Sequence, residues 1–379
     1  MKSVLELDML QTAGLGALAL VLGMCLTRRV KWLQRFCIPS PVSGGIVFSV
    51  VSLMLYKLWN VELVFDGTLK DVFMLVFFTS VGFQSNLKVL RRGGSTLLLM
   101  LGVLAFIIVV QNVLPLGIAW IMGVNPLVGM AAGSISMAGG HGTAGGFSAV
   151  LEGMGLSGAG TIAMAAATFG LIMGSVTGGP LAERLIRTKL TAEHLEPKDY
   201  EVDPAMAGLE SDEASPAGRA KHISSNEQEF QQYAKATYAL LIVVAAGSLM
   251  SWLLQQTGVT FPTYFGALIV AAIVRNVAET CKLTPKMELD KIVSVGNICL
   301  SVFLGMAMVS LKLWELESLA LPLVVMLVAQ VVAMALIAYF VAFNILGRDY
   351  DAAVLVAGIC GFGLGATPNA MANMSAVCY

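Results

Sequence analysis

The sequence predicts an all-α membrane protein that crosses the bilayer many times. Hydrophobic residues make up 57% of the 379 residues and charged residues only 12%, whereas soluble globular proteins carry about 25% charged residues. The apolar residues form continuous runs, and a helix needs roughly 20 such residues to cross a bilayer. They do not alternate with polar residues, as the strands of a membrane β-barrel do. A soluble enzyme is therefore excluded, and a barrel is disfavoured.

The apolar runs predict nine membrane-spanning helices and two further segments that are rich in glycine. The predicted spans lie near residues 9–27, 41–58, 71–88, 96–121, 158–184, 235–256, 262–279, 292–311 and 319–345. The glycine-rich segments lie near 124–150 and 350–377. Between the two halves, the stretch 188–232 holds 10 of the 24 acidic residues. Such a composition cannot bury enough apolar surface to fold alone, which predicts a flexible linker.

Basic residues orient the predicted spans. Clusters of Lys and Arg follow the first, third and fifth spans, at 28–35, 88–92 and 184–189. Loops of this kind face the cytoplasm. All three clusters are cytoplasmic only if the segment 124–150 does not cross the membrane. The pattern therefore predicts a re-entrant hairpin entering from outside, an N-terminus outside and a cytoplasmic linker.

The two halves of the chain resemble each other at offsets of about 220 residues, which indicates an internal repeat. The matching pairs include Pro39 with Pro262, Lys88 with Lys312, and Gln111 with Gln330. An odd number of spans in the first half would give the second half the opposite orientation in the membrane.

Residues 1–187 and 233–379 are therefore predicted to form two inverted-topology repeats of five transmembrane helices. In the second repeat, the hairpin near 350–377 would enter from the cytoplasm. The sequence stops where the matching last helix is expected, so that helix is expected to be missing. Inverted repeats with broken helices near the bilayer midplane are typical of secondary transporters.

The two predicted hairpins hold the candidate binding residues. Irregular backbone at membrane depth is tolerated only where it is buried or lines a wet cavity. Helix N-termini there offer N–H groups to an anion, and free carbonyls suit Na⁺. The predicted substrate-binding residues are Ser136, Gly139, Gly140, His141, Gly142, Thr143, Gly363, Gly365, Thr367, Pro368 and Asn369. The predicted sodium ligands are Ser134, Thr367, Asn369, Asn373 and Gln111.

His141 is the one histidine within the predicted membrane region, and its role is open between a proton carrier, a substrate hydrogen-bond donor and a structural cap. The structural or substrate-facing role is favoured, because no carboxylate lies in the same hairpin. A proton-coupled carrier usually needs an ionisable group at depth. The shortage of such groups favours coupling to Na⁺, and the lack of buried acids favours an anionic substrate.

Buried amides and a glycine stripe leave further alternatives. Gln111 and Gln330 lie deep in predicted spans, where they either line the site or lock two helices together. Gly170, Gly174 and Gly178 recur at intervals of four residues, a pattern typical of close helix packing.

In these motifs the sequence resembles the glutamate:sodium symporter family of bacterial inner-membrane carriers. The matching segments are Gly139–Ala144 (GGHGTA), Gly361–Met374 (GFGLGATPNAMANM), Pro39–Gly45, Gln111-Asn112, Leu311–Glu315 and Asp349–Ala353. The resemblance covers nearly the whole chain except 188–232. It implies Na⁺-driven uptake of L-glutamate, a homodimer, and an elevator-like movement of a core domain. By this resemblance, the family's last helix is expected after Tyr379, where the sequence given stops.

The sequence thus predicts a secondary symporter that imports L-glutamate with Na⁺ across a bacterial inner membrane by alternating access. The alternatives are a cation-coupled carrier of dicarboxylates or hydroxycarboxylates and a passive channel. The apolar region contains no catalytic dyad or metal cluster, so an enzyme is not expected. A net charge of −1 gives no indication of nucleic-acid binding.

Overall fold

The computed structural model describes residues 3–31, 33, 38–88, 94–190, 222–257, 261–281, 288–365 and 367–378. Helices dominate this part of the chain. The helices of the first half are α1 (Met9–Arg29), α2 (Ser40–Trp59), α3 (Thr68–Gln84), α4 (Gly94–Ile121), α5 (Pro126–Ala132), α6 (Ser134–Met137), α7 (Gly140–Gly153) and α8 (Ala159–Lys189). Two short strands, β1 (Ser3–Leu7) and β2 (Val61–Phe65), pair in parallel, with Ser3 opposite Val61.

The described part of the second half is also mainly helical. Its helices are α9 (His222–Gln255), α10 (Phe265–Thr280), α11 (Leu289–Val309), α12 (Ala320–Ile337), α13 (Phe343–Ile345), α14 (Tyr350–Leu364) and α15 (Thr367–Val377). A 3₁₀ segment, Leu313–Leu319, joins α11 to α12, and a π-helical turn, Ala338–Ala342, joins α12 to α13.

The prediction of an all-α protein with many membrane spans is confirmed. Seven described helices are long and apolar enough to cross a bilayer. The helices α3 and α10, with 17 and 16 residues, also coincide with predicted spans but are shorter. The helix α9 begins at His222, within the range predicted as linker. The helix α8 also extends into that range, to Lys189, and residues 191–221 lie outside the described residues.

The helices pack in two groups. The first group contains α1, α2, α3, α9, α10 and α11. The second group contains α4 to α8, α12, α14 and α15, and its strongest contact is between α8 and α14. Both glycine-rich segments therefore lie in the second group, together with the helices that follow or precede them.

Within the first group, α1 and α2 approach each other at glycines. A Cβ atom added at Gly23 would collide with the Ser40 carbonyl oxygen, and one at Gly44 would collide with the Ala19 carbonyl oxygen. Helices in membranes gain association energy from such close packing because lipid supplies no hydrophobic driving force between them.

We expect Gly23→Val to destabilise the protein and Gly14→Val to leave its stability nearly unchanged. Gly14 lies on the same helix, and an added Cβ there has nothing within 4 Å. Overpacking of a well-packed contact typically costs about 1–3 kcal/mol. Thermal unfolding of the purified variants measures the difference. Equal melting temperatures for the two variants would contradict the packing described here.

Candidate functional site

The first glycine-rich segment is a broken helix. Three short helices follow one another, with breaks at Gly133 and at Ala138-Gly139. Gly140, which begins α7, has a φ of +62°, a backbone conformation that strongly favours glycine. No side chain caps the N-terminus of α7. Its first N–H groups are therefore left without a side-chain acceptor.

The serines of the first break are held by local hydrogen bonds. The Ser134 hydroxyl donates to Asn112 Oδ1 over 2.9 Å, and the Ser134 backbone N–H donates to the same oxygen over 3.2 Å. Asn112 thereby caps α6 from the neighbouring helix α4. The Ser136 hydroxyl donates to the carbonyl of Ala131. Both predicted site serines are thus fixed in place, and each hydroxyl oxygen keeps acceptor capacity.

His141 connects α7 to α8. Its Nε2 atom lies 3.0 Å from Thr168 Oγ1, and the Thr168 hydroxyl donates to the Met164 carbonyl over 2.9 Å. The Thr168 hydroxyl already uses its proton in the bond to Met164. His141 Nε2 therefore carries a hydrogen and donates a hydrogen bond to Thr168 Oγ1. The imidazole is buried, and this bond fixes its orientation beside the break at Ala138-Gly139.

The second glycine-rich segment is an antiparallel pair of helices. The Tyr350 hydroxyl at the start of α14 donates to the Val377 carbonyl at the end of α15 over 3.1 Å. Near the turn, a Cβ added at Gly361 would lie 2.7 Å from the Ala370 backbone nitrogen. The glycines of α14 therefore allow the two helices to touch. Gly363 and Gly365 lie at this turn, and the side chains of Thr367 and Pro368 lie outside the described residues.

Two asparagines attach α15 to α8. Asn369 Nδ2 donates to the Leu171 carbonyl over 2.7 Å, and Asn373 Nδ2 donates to the Gly174 carbonyl over 2.9 Å. The amides are one helical turn apart, as are the carbonyls, so the two bonds are parallel. The predicted sodium ligands Asn369 and Asn373 are both buried and both point at α8.

The two broken segments meet at Gly170 of α8. A Cβ added at Gly170 would collide with the Leu364 carbonyl and lie 2.8 Å from Met137 Sδ. Leu364 ends α14, and Met137 ends α6. The glycine stripe that continues through Gly174 and Gly178 packs against α14 and α15, which confirms its predicted packing role. The region around Gly170 is called the tip junction below.

Two glutamines connect the two broken segments to α4 and α12 by hydrogen bonds. Gln111 Nε2, in α4, donates to the Gly363 carbonyl, and Gln330 Nε2, in α12, donates to the Ala132 carbonyl over 2.7 Å. Each amide therefore connects a helix of one half to the broken segment of the other half. Of the two roles left open by the sequence, locking of helices is the one these bonds perform.

Several buried oxygens near the tip junction lack a hydrogen-bond donor. Among the described residues, the buried side-chain atoms without a hydrogen-bond partner are Gln111 Oε1, Gln330 Oε1, Asn369 Oδ1 and Glu279 Oε2. Glu279 Oε2 lies 3.3 Å from Arg275 Nη1 and so has an ionic partner. The three amide oxygens have none. Their amide nitrogens face carbonyls, which can only accept, so exchanging nitrogen and oxygen would not help.

A cavity of about 770 Å³ reaches the first broken segment from the side. It ends at Gly145 and Gly146, just beyond the predicted residue Thr143, and the hydroxyls of Ser148 and Thr161 face it. None of the predicted substrate or sodium residues lines it. The cavity lies between the two groups of helices, since Phe303 of α11 forms its opposite wall.

Charged side chains surround this cavity. Lys312 Nζ lies 2.8 Å from Glu62 Oε1, and Glu315 lies beside them in the 3₁₀ segment. Burial raises the pKa of Glu315 above its usual value, Lys312 opposes this shift, and Glu152 adds to it. The cavity lining therefore carries both signs of charge, whereas residues 124–151 and 352–377 contain no acidic or basic side chain apart from His141.

Sequence reasoning missed three of the residues that build the site. Thr168, Leu171 and Met137 supply a hydroxyl, a carbonyl and a thioether at the tip junction. Thr168 and Leu171 lie within a helix whose sequence is that of an ordinary membrane span. The contact of Leu171 is made by its main-chain carbonyl, which the sequence does not indicate. Thr168 lies two residues before the glycine stripe, and this position was the one indication in the sequence that it belongs to the site.

We expect Thr168→Val to lower the stability of the protein by about 1–3 kcal/mol, because it leaves the buried N–H of His141 without an acceptor. The matched control is Thr177→Val on the same helix, since the Thr177 hydroxyl bonds only to the carbonyl of Met173 among the hydrogen bonds described. Melting temperatures of the purified variants give the comparison. A smaller loss for Thr168→Val than for Thr177→Val would refute the assigned bond.

Known proteins resemble this chain along nearly its whole length. The model of the family described as "Sodium/glutamate symporter" matches residues 5–379. A sodium/glutamate symporter of Escherichia coli (strain K12) is 41% identical over 375 residues, which cover 98% of this chain and 89% of that protein. The one of Haemophilus influenzae is 37% identical over 368 residues, covering 97% and 88%.

A third relative, from Shigella flexneri, carries the same name and is 41% identical over 375 residues. No solved structure matches the chain. The matches include both broken segments and the helices that hold them. The chain therefore belongs to the sodium/glutamate symporter family.

Proposed function

We propose that this protein is a secondary symporter that imports L-glutamate together with Na⁺ across a bacterial inner membrane. The observation that carries the proposal is the tip junction, where the two broken segments meet against α8 at uncharged residues. Membership of the sodium/glutamate symporter family supports the choice of ion and solute. Its relatives are named as transporters, which are not enzymes. Apolar side chains exposed along α4, such as Leu98 and Val113, suit contact with lipid.

Glutamate binds at the tip junction in this proposal. The uncapped N-terminus of α7 offers N–H groups and the positive end of a helix dipole to a carboxylate. His141 is held beside it by Thr168. The proposed contacts remain Ser136, Gly139, Gly140, His141, Gly142, Thr143, Gly363, Gly365, Thr367, Pro368 and Asn369.

Sodium binds beside the substrate, at neutral oxygens. Asn369 Oδ1 is buried without a hydrogen-bond donor, and a hard cation is a suitable partner for such an oxygen. The other proposed ligands are Ser134, Thr367, Asn373 and Gln111. Carbonyl groups at the ends of broken helices add oxygens of the kind that coordinate Na⁺ in other transporters.

The two halves form inverted repeats in this proposal, and reciprocal contacts support it. The hydrogen bond from Gln111 to Gly363 has a counterpart in that from Gln330 to Ala132. The two lysines that the proposed repeat relates, Lys88 and Lys312, each form an ion pair with a glutamate of the other half. Lys88 pairs with Glu279 of the second half over 3.5 Å, and Lys312 pairs with Glu62 of the first half over 2.8 Å.

Transport follows an elevator-like movement of the second helix group against the first. The contact between the groups is of a kind that can slide. Gly145 faces Phe303, and Gly146 faces Tyr264, so a helix surface without side chains lies on aromatic rings. The first group also supplies the homodimer contact, the N-terminus lies outside, and the segment 188–232 is cytoplasmic.

Coupling arises from linkage between the two solutes. An ion that fixes the oxygens of the tip junction also orders the backbone that meets glutamate. By thermodynamic reciprocity, Na⁺ and glutamate then raise each other's affinity by the same factor. The buried polar groups of the site are all hydrogen-bonded or coordinated only when both Na⁺ and glutamate are bound. Movement of the second helix group is therefore favoured with both solutes bound.

In liposomes that contain the full-length protein, we expect labelled glutamate to accumulate only under an inward Na⁺ gradient. Replacing Na⁺ by choline removes the driving ion and should abolish accumulation. Unlabelled aspartate, citrate and malate, added as competitors, distinguish an amino-acid carrier from a carrier of dicarboxylates or hydroxycarboxylates.

A passive channel would equilibrate glutamate but could not concentrate it. Accumulation that persists without Na⁺, or uptake that never exceeds the external concentration, would overturn the proposal. Preferential competition by citrate or malate would favour the alternative substrate class.

We expect Gly170→Ala to reduce Na⁺-driven glutamate uptake severely, because the added methyl group pushes both Leu364 and Met137 away from α8 at the tip junction. Gly179→Ala is the matched control, since no atom lies within 4 Å of its added Cβ. Both substitutions raise helix propensity equally, by roughly 1 kcal/mol. Uptake by equal amounts of reconstituted protein gives the measurement. Normal uptake by Gly170→Ala would argue against a substrate site at the junction.

A further inference from the structure

Among the described helices, the chain passes from the first helix group to the second at two places. One is the connection between α3 and α4. The other is the stretch 310–319 between α11 and α12, which contains the 3₁₀ segment Leu313–Leu319. This 3₁₀ segment contacts α2 of the first group as well as α8 and α12 of the second. Any movement between the two groups must therefore change its contacts on one of these sides.

Two side-chain contacts attach the 3₁₀ segment to the first group. The ring of Trp314 is stacked on that of Tyr56 in α2, with the ring centres 4.0 Å apart and the planes inclined by 2°. Lys312 Nζ, just before the segment, lies 2.8 Å from Glu62 Oε1 in β2, the strand that follows α2. Both contacts hold the segment to the same end of α2.

These two contacts provide most of the attachment. The side chains of Lys312 and Glu62 are 35% and 22% exposed, so water and salt screen this ion pair only in part. A third contact joins Lys57 Nζ to Glu317 Oε2 over 2.7 Å, but its side chains are 51% and 68% exposed. Ion pairs as exposed as this one contribute little to stability. The attachment therefore depends mainly on Trp314 and Lys312.

The contacts of the segment with the second group are made at a glycine and a hydroxyl. Glu315 lies against Gly158, which precedes α8 and has a φ of +71°. The backbone N–H of Lys312 donates to Thr161 Oγ1 over a long 3.3 Å. The leucines of the segment pack on the apolar core that both groups share, and apolar contact has no fixed direction. This side can therefore separate more readily than the stacked rings on the other side.

The connection that follows α3 is also attached to the first group. Asn276 of α10 accepts a hydrogen bond from the Leu87 backbone N–H and donates one to the Ser85 carbonyl, each over 3.0 Å. Lys88 lies 3.5 Å from Glu279 of the same helix. At both places, the chain is thus held to the first group before it reaches the second.

The start of α12 is a place where the chain can bend. Leu319 ends the 3₁₀ segment with φ −106° and ψ 0°, and no side chain caps α12 there. The first N–H groups of α12 are therefore without a side-chain acceptor. The direction of α12 relative to the 3₁₀ segment is not fixed by a cap.

We infer that the 3₁₀ segment stays attached to the first group during transport, while the second group turns about the junction of Leu319 with Ala320. Trp314 and Lys312 are positioning residues in this inference, because they act on the tip junction only by holding the fixed end of the hinge. The inference rests on the proposed function, in which the second helix group moves against the first.

The contact between Glu315 and Gly158 is broken in every cycle if the segment stays with the first group. The stack of Trp314 on Tyr56 is kept throughout. A covalent link across the first contact must therefore stop transport, whereas a link between the segment and α2 must not.

Two cross-links on opposite sides of the segment test this assignment in the full-length protein. Gly158→Cys with Glu315→Cys joins the segment to α8. The Cβ of Glu315 lies 3.3 Å from the position of a Cβ at residue 158, close to the separation found in disulfides. Lys57→Cys with Glu317→Cys, linked by a flexible bifunctional methanethiosulfonate, joins the segment to α2.

Oxidation of the first pair should abolish Na⁺-driven glutamate uptake, and dithiothreitol should restore it. Linking of the second pair should leave uptake at its level before linking. Thermal stabilisation by glutamate with Na⁺ should persist in the oxidised first pair, because the link lies away from the tip junction. The wild-type protein, which has exposed cysteines of its own, receives the same treatments as a control.

Trp314→Leu provides a second test if Gly158→Cys fails to fold. We expect the maximal rate of uptake to fall roughly fivefold, the size set by the loss of one stacked aromatic pair. The thermal stabilisation by glutamate with Na⁺ should not change, since Trp314 does not act on binding. Trp120→Leu, at an 81% exposed position of α4, is the matched control and should retain the wild-type rate.

The inference is wrong if uptake survives the link to α8, if the link to α2 abolishes uptake, or if Trp314→Leu keeps the wild-type rate. It is also wrong if the link to α8 removes the stabilisation by glutamate, because the link then disturbs the site and not the movement. In these cases the wild-type protein still accumulates glutamate with Na⁺, so the proposed function survives. Absence of Na⁺-driven uptake by the wild-type protein is a different result, which removes the proposed function and the inference with it.

Discussion

The packing of both broken segments against α8 is the constraint on which the site depends. At Gly170 the backbone leaves just enough room for Leu364 and Met137 to lie on the same helix. One turn of α8 also supplies the hydroxyl that orients His141 and the carbonyl that holds Asn369. Because a single rigid helix makes these contacts, the two segments keep a fixed relation although neither contains a continuous helix. The glycines of α8 are thus as important to the site as those of the segments.

The fold was largely predictable from the sequence, because long apolar runs have few structural solutions in a bilayer. The helices agree with the predicted spans to within a few residues at most ends, apart from the early start of α9 at His222. The strands β1 and β2 were not predicted, since five residues beside a span give little periodic signal. The glycine stripe of α8 was identified correctly because its spacing alone indicates close packing.

The site was predictable only in part. The motifs around His141 and Asn369 were chosen as candidates because two glycine-rich tracts with threonine and other polar residues lie at matching positions of the two halves. Their partners were not, since Thr168 and the Leu171 carbonyl belong to another helix, and tertiary contact cannot be read from one sequence. The cavity beside Gly145 was also missed. Its lining comes from both helix groups, and the residues of either group alone give no sign in the sequence that they border a cavity.

The parallel pairing of β1 with β2 has a consequence for how the protein is assembled. β1 precedes α1 and β2 follows α2, so the parallel register places Ser3 beside the end of α2, and Leu7, just before α1, beside Phe65, just before α3. The polar edge of β1 finds its partner only after α2 has been synthesised. The N-terminal tail and the loop after α2 must therefore reach the same face of the membrane. Backbone hydrogen bonds then join the segment before α1 to the segment between α2 and α3.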